Sequence, residues 1–335
     1  MKPPRKRRRG PLGVLARVGF AALLVACGSR TGLFGEAAVD DGFTILPDGG
    51  RVPRDGGTLT DGAAFDAPPL IDAAPRDASR LDCPDAEATL IYVVTGNNEL
   101  YSFYPPGSTF TFISNIACPA GADSQGGPAT PFSMAVDRRG VAQVLFTDNR
   151  LYRVSTATGA CVGTPYQPNQ QGFSAFGMGY ATNAAGPTES LFVAGTSDSN
   201  NPTSPGLGRI DTTSFALTRV GAFVPNINRA ELTGTGDGRL FAFYTKRLDN
   251  GPPSYIGEID TGNARVVAET PFPTVDQGAG WAFAFWGGDF YMFTSPGGGG
   301  SDVTRWRPAD NTVNNVGTLP SRVVGAGVST CAPAQ

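Results

Sequence analysis

The sequence predicts an all-β fold: a five-bladed β-propeller, with six blades as the alternative, closed by a blade shared between the N- and C-terminal strands. Three observations predict it. From Leu90 the composition shifts to Val, Phe, Tyr, Thr and Gly, and short β-rich runs follow at the close, regular spacing of an all-β domain. The runs also recur in fours: residues 132–166 read FSMAVDRRG, VAQVLFTD, NRLYRVSTATG, ACVGTPY, separated by turn residues, and three further copies of this unit follow. Finally, one inner-type run at the C-terminus and three runs at the start of the region make up a split copy. Joining them removes the exposed edges an open array of sheets would carry.

Taken in order, the chain starts with non-globular segments. Lys2, Arg5, Lys6 and Arg7 to Arg9 form a basic n-region, and Val18 to Ala26 an apolar h-region too short for a permanent membrane span. Residues 1–26 are therefore expected to be a signal peptide. Residues 27–82 carry the fragments PDGG, PRDGG, TDGA, DAPP and DAAPRDAS, rich in Asp, Gly, Pro and Ala. With few periodic apolar positions they predict a disordered tether. The propeller domain then occupies residues 83–335.

The shared blade takes its innermost strand from 322–330 and its others from 89–97, 99–108 and 109–117. The second blade is 132–166, and the third, fourth and fifth begin at 176, 230 and 280. Innermost runs (FSMAV, FGMGY, ELTGTG, WAFAF, VVGAGV) are rich in Gly, Ala and Met, as strands crowded around an axis require. Third runs end in tight polar turns such as TATG, DTTS, DTGN and PADN.

Composition excludes much chemistry. There is no histidine, so Ser-His-Asp and Cys-His catalysis, imidazole metal ligation and imidazole pH switching are ruled out. Without residues 1–26 the chain holds 19 basic against 29 acidic residues, a formal charge of −10, a poor surface for nucleic acid or anionic lipid. No C-x-x-C spacing or carboxylate pattern indicates a metal, and no glycine motif indicates a nucleotide, so no cofactor is expected.

Leu24-Val25-Ala26-Cys27, followed by Gly28-Ser29, resembles the lipobox of bacterial lipoproteins, which implies lipidation at Cys27. The third-strand pattern of LYRVSTATG and GEIDTGN resembles the repeats of many bacterial propellers. The whole chain resembles uncharacterised, myxobacterial-type outer-membrane lipoproteins with a propeller ectodomain. That resemblance implies a cell-envelope location and a fold, not an activity.

Once Cys27 is set aside, Cys83, Cys118, Cys161 and Cys331 allow three disulfide connectivities. The shared blade brings Cys83 and Cys331 near one another, and a bridge there would lock the ring; Cys118 with Cys161 is the pairing left over. Strand order nevertheless puts Cys118 at the end of one outer strand and Cys161 at the start of another, on opposite faces. Either that register is off, or loop 119–131 folds back.

The longest loops, 198–205, 248–254 and 297–301, share the face that also carries the blade-to-blade connections. Function tends to sit on such loops over a rigid scaffold. Near the channel mouth on that face the candidates are Asn226, Asn228, Arg229, Glu231, Asp276, Gln277 and Trp281, a mix of amides, carboxylates and an aromatic that suits sugar binding. Five-bladed propellers include glycosidases with inner-strand carboxylates. Asp137 and Glu231 fall roughly 15 Å apart along their strands, beyond the range of a catalytic pair. Glu231 with Asp276 is the remaining pair. The leading expectation is a monomeric, non-catalytic binding module for a glycan or an envelope protein, touching the membrane only through its lipid. The alternatives are a glycan-active hydrolase using Glu231 and Asp276, and a purely structural envelope protein.

Overall fold

The structure is a computed structural model that describes residues 89–183, 187–197, 203–248 and 251–334, and the backbone of 43–45 and 51–53. The chain divides into two units, residues 1–70 and 71–335. In the first, β1 (Phe43–Ile45) pairs antiparallel with β2 (Arg51–Pro53). The expected signal peptide, the lipidation site and the rest of the expected tether lie outside the described residues.

The second unit is a ring of five four-stranded antiparallel sheets. Blade 1 has the order β22 (Val323–Val328), β3 (Ile91–Thr95), β4 (Glu99–Tyr104), β5 (Thr109–Asn115). Blade 2 runs β6 (Pro131–Val136), β7 (Val141–Phe146), β8 (Leu151–Ser155), β9 (Cys161–Gly163), and blade 3 β10 (Phe176–Thr182), β11 (Glu189–Gly195), β12 (Leu207–Ile210), β13 (Leu217–Gly221). Blade 4 comprises β14 (Asn228–Gly234), β15 (Leu240–Thr245), β16 (Ser254–Ile259), β17 (Val266–Phe272), and blade 5 β18 (Trp281–Trp286), β19 (Asp289–Thr294), β20 (Ser301–Arg307), β21 (Thr312–Leu319). The predicted closure is present: β22 pairs with β3, from Val328↔Ile91 to Val323↔Thr95. The inner strands contact one another in sequence around the axis, β22 to β6, β10, β14, β18 and back to β22.

Each sheet is covered on both faces, so the core is five separate clusters, one at every blade junction. This explains the inner-strand sequences. In β18, Phe283 faces blade 4 while Ala282 and Ala284 face blade 1. In β10, Phe176, Met178 and Tyr180 face blade 2, whereas a Cβ on Gly177 would stand 2.1 Å from the Ala230 carbonyl oxygen in blade 4. Alternating large and small residues lets neighbouring inner strands nest at backbone distance.

A disulfide joins Cys118 to Cys161, with Cα atoms 5.0 Å apart. A flat blade would put Cys118 and Cys161 on opposite faces; a twisted one does not. Neighbouring strands rotate by roughly 20–25°, so over three steps the outermost strand lies nearly across the axis. The end of one outer strand is thereby carried to the start of the next. The same junction recurs without cysteine: Val266 N–H donates to the Val224 carbonyl at 3.1 Å between blades 3 and 4, and Gln170 Nε2 donates to the Phe215 carbonyl at 3.0 Å between blades 2 and 3. Cys331 is also disulfide-bonded; Cys83, its expected partner, lies outside the described residues.

Candidate functional site

Blade-to-blade connections and the loops between second and third strands share what we term the upper face. Inner strands start there, which places Arg229, Trp281, Phe132 and Val324 around the upper mouth of the axis. The Arg229 guanidinium lies 3.8 Å from the centre of the Trp281 ring, and Phe132 meets the same ring edge-on at 6.5 Å. Beside them is a depression of about 50 Å³ lined by Phe132, Ala279, Gly280, Trp281 and Val324. The predicted aromatic is therefore at the mouth, half-buried, with a cation stacked on it. Its indole Nε1 is buried and has no hydrogen-bond partner.

The remaining candidates separate into two groups. Asn226 is exposed and donates through Nδ2 to Asn228 Oδ1 at 3.3 Å, while buried Asn228 also accepts from the Ser197 hydroxyl and donates to the Lys246 carbonyl at 3.3 Å. These amides tie the blade 3 and blade 4 loops together. Gln277 is fully buried; its Nε2 donates to the Arg229 carbonyl at 3.2 Å and its Oε1 has no partner. Asp276 closes a local turn by accepting from the Gly278 N–H at 2.9 Å.

Glu231 does not face the mouth loops. It is 2% exposed on β14, and its carboxylate accepts from the Ser133 hydroxyl at 2.8 Å. Ser133 Oγ in turn accepts the inner-edge N–H of Met178 at 3.2 Å, and Glu231 also takes a hydrogen bond from that amide. The innermost strand of every blade has an unpaired edge towards the axis, and these groups occupy it. Thr233 does the same for Phe285 N–H at 3.1 Å. Burial lifts the Glu231 carboxyl well above the ordinary carboxylate range, against the two hydrogen bonds, which favour its charged form. The structure thus brings Arg229 and Trp281 together, and Asn226 with Asn228, while Glu231 and Asp276 are each held by different partners.

The lower mouth is covered by the C-terminal segment. Thr330 Oγ1 donates to Glu189 Oε2 of blade 3 at 2.9 Å and accepts from Arg138 Nε of blade 2 at 3.1 Å. Gly287 N–H of blade 5 donates to the Pro333 carbonyl at 2.8 Å. Burial raises the Glu189 carboxyl, with Arg138 and Thr330 opposing the shift.

Two concave surfaces escaped the sequence reading, and both lie on the lower face. One, of about 270 Å³ between blades 4 and 5, is walled by Phe241, Phe285, Phe290 and Trp306 under the Arg239–Glu258 ion pair. The other, of about 320 Å³, lies between blades 2 and 3 and is lined mostly by residues with polar side chains. A signal for the second was present: Gln143 is the one amide in the otherwise apolar strand VAQVLF, and it is 2% exposed.

No protein-family model matches the chain, and no curated protein matches it. Among solved structures it is similar to a virginiamycin B lyase from Staphylococcus aureus, at 15% identity over 68% of each chain with a TM-score of 0.31. It is also similar to an exo-β-1,3-galactanase from Phanerochaete chrysosporium, at 10% identity over 61% of this chain and 53% of that one, TM-score 0.42. A third is a putative TolB from Agrobacterium tumefaciens, at 12% identity over 73% of this chain and 92% of that one, TM-score 0.35. The chain thus spans about half of the galactanase.

Proposed function

We propose that the chain is a lipid-anchored protein of the cell envelope, at the outer membrane, whose propeller binds a glycan or a protein partner without catalysis. The observation that carries this reading is the division of roles around the axis. The buried carboxyl, Glu231, is engaged in capping inner-strand edges, while the half-buried Trp281, backed by Arg229, is left at a mouth beside a small depression. An aromatic held at a rim by a stacked cation is a rigid contact surface for a sugar face or a partner side chain. Lipidation at Cys27 would hold this module at a membrane, with the acidic, Asp- and Gly-rich stretch as spacer.

The test is a glycan and polysaccharide array on the full chain, with product analysis on every hit. Saturable binding without cleavage, weakened at least roughly tenfold by Trp281→Ala, is the expected result. Loss of membrane association in Cys27→Ser tests the anchor. A hydrolase using Glu231 and Asp276 is the second reading, favoured by the raised Glu231 carboxyl, since a general acid requires such a shift. Cleavage products that vanish in Glu231→Gln while binding persists would replace the first reading with the second. A blank array, with no partner recovered by crosslinking in cells, would leave the propeller as a structural body.

A further inference from the structure

The polar cavity between blades 2 and 3 is lined by Asp137, Arg139, Gln143, Arg153, Tyr180 and Thr212. Its floor is Gln143, at the centre of β7, directly across the ladder from Arg153 on β8. Gln143 hydrogen-bonds the Tyr180 hydroxyl, yet its Oε1 is buried with no partner. A buried side-chain acceptor is ordinarily satisfied, so an unmet one on a residue that lines a cavity is a candidate partner for a water or a ligand hydroxyl.

The walls are built to different degrees. Arg153 is fixed: its Nη2 donates to the Thr212 carbonyl at 2.8 Å, and its guanidinium lies 5.0 Å from the Phe215 ring centre. Arg139 is at the rim, its side chain 86% exposed, with Nη2 3.5 Å from Asp137 Oδ2. Asp137 Oδ1 already accepts from the backbone N–H groups of Arg139 and Val141 at 2.9 and 2.8 Å, which leaves Oδ2 facing Arg139. Two guanidiniums therefore line the cavity against one carboxylate. Behind Tyr180 stands Glu189, held by Arg138 and Thr330. The cavity thus offers positive charge at its rim and hydrogen-bond acceptors at its base.

We infer that this cavity binds a uronate, a sugar carrying a carboxylate, with the acid on Arg153 and Arg139 and a ring hydroxyl donating to Gln143 Oε1. A carboxylate matches the planar guanidinium and neutralises the excess positive charge. The hydroxyl meets the orphaned amide, and a second one reaches Asp137. A neutral sugar would leave the extra positive charge of the lining unmatched; a simple carboxylic acid would leave Gln143 Oε1 without a donor. The inference deepens the glycan arm of the proposed function and rests on it.

The test is calorimetric titration of the full chain with dimers and trimers of glucuronate and galacturonate, with the matching glucose and galactose oligomers as controls. Uronates are expected to bind at least about tenfold more tightly than neutral sugars. Gln143→Leu should weaken uronate binding by a similar factor, and Arg153→Gln should erase the preference, both with unchanged melting temperature. If Gln143→Leu does not fold, Arg153→Gln and the exposed Arg139→Gln decide. Absence of saturable uronate binding, equal binding of neutral sugars, or indifference to all three substitutions overturns the inference. Uronate binding that is lost in Trp281→Ala but kept in these variants also overturns it, and leaves the glycan reading standing.

Discussion

At Glu231 a carboxyl 2% exposed to solvent is met by one hydroxyl and one amide, with no cation among the groups that shift it. Its proton is held more tightly in the folded than in the unfolded chain, so its contribution to stability is full below the unfolded value of about 4.3 and declines as pH rises towards the raised folded value. Glu231→Gln removes that decline. The variant is expected to match the parent within about 1 kcal/mol near pH 5 and to exceed it near pH 8. Glu189, raised by burial in the same direction, contributes a parallel slope to both proteins, so the readout is the difference between the two melting curves. Curves that run parallel would show that Glu231 does not titrate as described. Gly177 poses the opposite problem, one of space. A methyl there would meet the Ala230 carbonyl oxygen at 2.1 Å and the Glu231 Cα at 2.8 Å, both backbone atoms that cannot step aside. Gly177→Ala is expected to lower stability by roughly 2–3 kcal/mol in denaturant unfolding. Gly163→Ala, with nothing within 4 Å of the added atom, is the control and should stay within about 0.5 kcal/mol.

At the scale of the strand, much of the fold was legible because inner runs alternate large and small residues with a period of two and polar turns punctuate every third run. The sheet order follows those runs blade by blade. The twist was not legible, since strand rotation arises from backbone sterics common to all residues and leaves no mark in a one-dimensional pattern. Hence Cys118 and Cys161 seemed to lie on opposite faces. Their bridge fastens the outer rim of blade 1 to blade 2, where blades 2 and 3, and blades 3 and 4, are joined by hydrogen bonds instead. It closes a loop of sequence separation 43, so replacing both cysteines by serine is expected to cost roughly 3–4 kcal/mol, read as a lower denaturant midpoint. An unchanged midpoint would mean that loop 119–131 is already fixed by Ala129 N–H on the Gly121 carbonyl and by Gly121 N–H on Asp148. The site was legible in part for a related reason. Composition could nominate Arg229 and Trp281 for one mouth, but whether an inner-strand carboxylate faces solvent or a neighbouring strand's edge depends on inter-blade spacing. That spacing is set by glycines such as Gly177 in a different blade.

Across the whole molecule, stability is shared among five junction clusters, none of which exists until two blades are in place. The C-terminal segment then ties the lower face together, with Thr330 joining Glu189 of blade 3 to Arg138 of blade 2. Thr330→Ala leaves that half-buried carboxylate short of a donor, and a loss of about 1 kcal/mol is expected, measured by thermal unfolding. Removal of residues 322–335 has a larger effect because β3 loses its partner and blade 1 its innermost strand. Such a truncation is expected to show no cooperative transition, whereas a sharp melt would mean that four blades suffice. The pairing of β22 with β3 also fixes an order of events in time. A chain made from its N-terminus presents Ile91–Thr95 well over two hundred residues before Val323–Val328, so the first strand of the ring must wait for four further blades before its ladder can form. Synthesis that stops short of β22 therefore leaves a waiting edge rather than a smaller propeller, and the emergence of that strand becomes the event that commits the ring to its native shape.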